Sequence, residues 1–132
     1  MPEIIARDYV ADSLSKILPR RFVVEKFQRI PDVITKSTAI LKQQRIGRSI
    51  VAGRVIPGGR VAEFTLTLAI PNRDIARAET RLDDDVVTLL NAIDEIPNLR
   101  WTTAEKRILS ETVPAPCYDI TLELVYHHSR QE

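Results

Sequence analysis

Asp74–Ile96, DIARAETRLDDDVVTLLNAIDEI, is the stretch whose reading decides the fold. Its apolar residues stand at Ile75, Ala78, Leu82, Val86, Leu89, Leu90 and Ile93. Gaps of three and four place them on one stripe of a 3.6-residue helix. Glu79, Arg81, Asp83, Asp84 and Asp94 take the other side. Asp74 can cap the start, because its carboxylate accepts from the free N–H groups of the first turn. Pro97 ends the helix, because the residue before a proline is pushed out of the α region. A helix of about six turns with one apolar stripe needs one apolar surface to cover. The rest of the chain reads as the sheet that supplies it.

Upstream of the helix, Arg60 to Ile70 alternates cleanly. Ala62, Phe64, Leu66, Leu68 and Ile70 share one face, and Glu63, Thr65 and Thr67 the other. Pro57-Gly58-Gly59 is the strongest turn signal in the chain and is read as the turn of a hairpin. The other arm of that hairpin is the long β-like stretch Val33 to Ile56, broken by Gly47 and Gly53. Its distal part, about Arg45 to Arg60, has few bulky apolar residues and is expected to project from the body. Ile4 to Leu18 forms a first helix with Ile4 or Ile5, Val10, Leu14 and Ile17–Leu18 as its stripe, stopped by Pro19. Arg21 to Phe27 is a short strand, followed by a turn at Pro31–Asp32.

Downstream, Leu99 to Leu109 reads as a strand and Pro114-Ala115-Pro116 as a rigid connection. Cys117 to His127 is the last strand. Tyr118, Ile120, Leu122, Leu124 and Tyr126 face one way, and Asp119, Thr121 and Glu123 the other. The polar tail from His128 is expected to fray. The order helix, strand, hairpin, helix, hairpin gives an α+β domain over residues 1–132. It comprises an antiparallel sheet packed by a long amphipathic helix and an N-terminal helix, with a projecting β-hairpin arm.

Composition bounds function. A net charge of +1 argues against a dedicated nucleic-acid binder. Arg outnumbers Lys fourteen to five, which leans toward forked contacts at interfaces. The single cysteine, Cys117, excludes an internal disulfide and an all-cysteine metal site. No apolar run approaches the roughly 20 residues that span a bilayer. The N-terminal MPEIIARDYVADSL carries acids where a signal peptide is basic, so a reducing cytoplasm is the expected compartment.

No residue set reads as a catalytic, cofactor or metal site. His127 and His128 are adjacent on a strand and point to opposite faces, so they cannot jointly hold one metal. Cys117 lies ten residues from His127, about 33 Å along a regular strand, too far for a nucleophile–base pair. Pro57-Gly58-Gly59-Arg60 lacks the GxxxxGK[ST] pattern of a phosphate loop. Asp83-Asp84-Asp85 fan out by about 100° each on a helix, so their carboxylates do not converge; Asp85 lies nearest the apolar stripe. Lys42 to Arg60 holds Lys42, Arg45, Arg48, Arg54 and Arg60 with no acid. It is read as a solvated arm, a contact for a neighbour's acidic helix, or a surface beside passing DNA. Without an aromatic residue, contact with DNA is limited to non-specific phosphate attraction.

The layout resembles the tail terminator (tail completion) proteins of long-tailed bacteriophages, the lambda-like minor tail proteins. The likeness runs over nearly the whole chain: a first helix ending in LP before a strand, a PD turn and a long hairpin. A helix ending in DEIPNLRW and a closing strand YDITLELVY complete it. The resemblance implies a non-enzymatic structural virion protein, assembled in the host cytoplasm and located at the head-proximal end of the tail. It implies a homohexameric ring that stops tube polymerisation, binds the tail-tube protein, and presents a surface to the head connector and neck proteins. DNA passes through the ring without specific recognition, and no membrane is involved. In such a ring, Arg45, Arg48 and Arg54 are expected to face Asp83 and Asp84 of the next subunit. A head–tail neck adaptor of the same fold type is the alternative. A small ligand-binding or enzymatic α+β domain is a more distant one, favoured by an enclosed pocket lined by Tyr118 or Trp101.

Overall fold

A computed structural model of the chain describes residues 5–27, 34–71, 75–108 and 116–127. The elements in order are α1 (Ala6–Ile17), β1 (Phe22–Glu25), β2 (Ser37–Val51), β3 (Arg54–Ala69), α2 (Ile75–Glu95), β4 (Leu99–Ile108) and β5 (Pro116–His127). The five strands form one mixed sheet in the order β1-β2-β3-β5-β4. The fold is α+β. The sheet departs from the antiparallel expectation at one edge, where β1 runs parallel to β2. Asp74, the Pro31–Asp32 turn, Pro114–Ala115, His128 and the tail lie outside the described residues.

Both helices contribute to one core on one face of the sheet. From β3 come Ala62, Phe64, Leu66 and Leu68, and from β5 Ile120, Leu122 and Leu124, all buried. Directly paired residues share a face, so Phe64 beside Leu122 and Leu66 beside Ile120 build a continuous apolar floor. Helix α2 covers it with Leu82, Val86, Leu89 and Ile93. On α1 the buried residues are Ala6, Val10, Ala11 and Leu14. Ile5 and Ile17, expected in that stripe, are exposed, and the two alanines take the inward positions.

α1 ends where Leu18 leaves helical geometry, before Pro19. At the other helix, the chain reverses through Asn98 with φ +65°, a left-handed conformation that asparagine tolerates better than most residues. Ile96 and Leu99 stay buried on either side of this turn.

The hairpin turn is not at Pro57-Gly58-Gly59. The β2–β3 pairing runs on to Val51 opposite Arg54, with Ala52 and Gly53 as the two turn residues. Their φ values are +52° and +79°, as a two-residue type I′ turn requires. Pro57-Gly58-Gly59 lies inside β3 as an extra loop: Arg48 pairs Arg60 and Ile50 pairs Val55, so one residue of β2 faces four of β3. Gly59 is needed there, since a Cβ would fall 2.9 Å from Ser49 Cβ. The signal was a true break in regular pairing, but it bulges the strand instead of reversing it.

Candidate subunit and partner interface

The proposed basic residues do not form one surface. Lys42 pairs across to Thr65 and Arg45 to Glu63, on the sheet face turned away from the helices. Arg48 and Arg60 stand opposite one another two rungs further along the alternation from Ile46 and Ala62, on the helix-side face. Arg54 closes the turn. The irregularity between Gln43 and Arg45 inserts Gln44, whose Nε2 donates to Thr65 Oγ1 at 2.9 Å.

Arg45 is engaged within its own chain. Its guanidinium forks onto Glu63, with Nη2 donating to Oε1 at 3.1 Å and Nε to Oε2. That hydrogen bond holds the Glu63 carboxyl below its usual range. The row continues: Glu63 stands opposite Glu123 on β5, and Glu123 opposite Arg100 on β4. Arg100 Nε donates to Glu123 Oε2 at 2.9 Å. A row reading Arg45–Glu63–Glu123–Arg100 therefore crosses four strands, with each central carboxylate neutralised from its outer side. A second exchange joins Thr67 Oγ1 to Asp119 Oδ1 at 2.7 Å, with Arg107 donating to the other oxygen.

The three aspartates of α2 diverge. Asp83 Oδ1 lies 3.0 Å from Lys106 Nζ, and Lys106 also meets Glu79 at 2.6 Å. The hydrogen bond to Glu79, then that to Asp83, holds the Lys106 ammonium well above its usual value. Asp84 is exposed. Asp85 is only 2% exposed. Its Oδ1 accepts from Arg21 Nε at 3.2 Å, its Oδ2 from Ser37, and Arg81 lies 3.6 Å away. The sequence sets Asp85 apart from its neighbours, and the i,i+4 spacing on α2 marks Arg81 as a partner, but Arg21 and Ser37 come from distant parts of the chain and no spacing announces them. Beside this cluster an open cleft of about 590 Å³ is lined by Arg21, Arg77, Thr80, Arg81, Asp84 and Asp85.

Trp101 and Tyr118 tie β4 and β5 to α2. Trp101 Nε1 donates to Asp94 at 3.2 Å, and the Tyr118 hydroxyl to Asp83 at 3.4 Å. Cys117 is buried with Ile34 and Ala69. His127 Nε2 lies 2.9 Å from the Pro57 carbonyl oxygen, against the β3 loop. Among the described residues, no group of three or more His, Cys, Asp and Glu side chains converges on a metal position. No described helix is long and apolar enough to cross a membrane.

The feature that composition underrated is the end of the hairpin. Ile46, Ile50, Val51, Val55 and Ile56 are all exposed there, Ile50 by 62% and Val51 by 60%. The segment is therefore richer in bulky apolar side chains than expected. Among the described residues it also outruns its neighbours: β1 pairs β2 from Ser37 to Ile40, and β5 pairs β3 as far as Gly59. Beyond these points, among the described residues, the rungs Ile50–Val55 and Val51–Arg54 pair only with each other. No protein-family model matches this chain, and no curated protein matches its sequence.

Proposed function

We propose that this chain is a structural virion protein that caps the tail tube of a long-tailed phage as a homo-oligomeric ring. The ring stops tube polymerisation and forms the surface that the head connector joins. The resemblance of the sequence layout to tail terminators suggests the class, and one observation supports assembly: the exposed apolar end of β2–β3. A two-stranded ribbon is marginal in water on its own, and clustered exposed aliphatics mark a contact surface. In this reading the ribbon is an arm extended to a neighbour, and α2 is the amphipathic helix whose outer face receives contacts. A closed ring uses two different patches per subunit, and in this reading the apolar hairpin end and the outer face of α2 are the two.

Tail-tube subunits polymerised with and without the protein, and imaged by negative-stain electron microscopy, test this. The expected result is tubes ending in a distinct ring at one end and refusing further subunits. Tubes that keep growing unmarked in the presence of excess protein would refute it.

A further inference from the structure

We infer that the groove beside the β3 loop is the seat for the outer face of α2 of a second copy, centred on Val87. The inference rests on the assembly reading above and names its contact. The groove has a volume of about 500 Å³, and its lining includes Ile46, Arg48, Val55, Ile56 and Arg60. Its lining combines aliphatic side chains with two arginines. Ile46 lies on the sheet face that the helices cover elsewhere, yet it is 51% exposed, because the hairpin has outrun them here.

The complementary shape is on the same chain. Val87 is 55% exposed on α2, an isolated aliphatic knob. At 100° per residue, Asp83, Asp84 and Asp94 fall within about 60° of it, beside Thr80, Leu90 and Asn91; Asp83 is held by Lys106 and Asp94 accepts from Trp101. Asp84 is exposed, and no acid lies between Lys42 and Arg60. Val87 with the exposed Asp84 beside it thus fits a groove lined by aliphatic and basic side chains, in the manner of a helix laid into a groove.

Asp83 is held by Lys106 and Arg45 by Glu63, so the contact runs through Asp84 and Arg48 instead of the pairs first expected.

Ile46→Cys and Val87→Cys, made separately in the full chain, mixed and gently oxidised, test the seat. Both sites are exposed, so folding is preserved, and Cys117 is buried and does not compete. The expected product is a mixed I46C–V87C dimer, formed at least tenfold faster than either homodimer and slowed by Asp84→Lys. Adding Arg48→Glu to the I46C partner restores the rate. Absence of the mixed dimer, or a dominant I46C–I46C product, would overturn the seat. If the mixed dimer forms and tube growth is unaffected, the seat stands and the tail reading fails. If tubes are capped without the mixed dimer, the seat fails and the tail reading stands.

Discussion

Ser37 Oγ, at the start of β2, donates a hydrogen bond to Oδ2 of Asp85 on the buried side of α2, and both residues are almost wholly removed from water. The bond fixes where α2 lies along the sheet. Arg21, just ahead of β1, reaches the other carboxylate oxygen, so three elements meet on one carboxylate.

Removing either partner should cost stability. Ser37→Ala leaves a buried carboxylate short of a donor, at about 1–3 kcal/mol. Asp85→Ala costs a similar or somewhat larger amount, limited because Arg21 and Arg81 are about half exposed and keep their water. The double variant should cost clearly less than the sum, since the two changes remove one interaction. Urea midpoints at constant m-value measure all three; simple additivity would mean the bond does not couple α2 to the sheet.

The hairpin turn offers a change in the opposite direction. Ala52 sits at φ +52°, where a Cβ is strained, so Ala52→Asn should raise stability by about 0.5–1 kcal/mol. Gly53→Ala, at φ +79°, should lower it by about 1–2 kcal/mol. Thermal unfolding distinguishes this from a turn at Pro57–Gly59, which predicts no effect of either change.

Cys117 should be inert in the native protein. Burial pushes its thiol up to about 11, with Arg107 offsetting part of the rise. A raised value means that the protonated thiol contributes stability fully below the ordinary value near 9. That contribution is lost as pH rises toward 11. Cys117 should therefore resist a thiol reagent at pH 8 until urea is added. The stability difference between wild type and Cys117→Ala should shrink between pH 8 and 10.5. Fast labelling of the folded protein would refute the burial.

Ile50→Asp separates assembly from folding. Ile50 is exposed, so monomer stability should move by no more than about 0.5 kcal/mol. Self-association should fall at least tenfold, read by sedimentation across a concentration series. Unchanged association would remove the hairpin end from the interface.

Much of the sheet was legible from period two: Ala62, Phe64, Leu66, Leu68 and Ile70 were placed together by alternation, and all are buried. Leu82, Val86, Leu89 and Ile93 were placed on one stripe and are buried too. The parallel β1–β2 edge was not legible, because four residues, Phe22–Glu25, carry no mark of direction. The turn was misplaced because Pro-Gly-Gly outweighs Ala-Gly as a local signal, although the tight turn needs only two residues with positive φ. In the sequence, charge alone marks the interface candidates. Charge along a strand does not reveal the opposing residue, so Glu63 across from Arg45 and Lys106 beside Asp83 appeared only with the register.

The most direct test of the ring-forming cap is mass in solution by light scattering, with and without tail-tube protein. A closed assembly of about six copies, alone or only on tubes, is the predicted result. A monomer at every concentration that ignores tube subunits would contradict it.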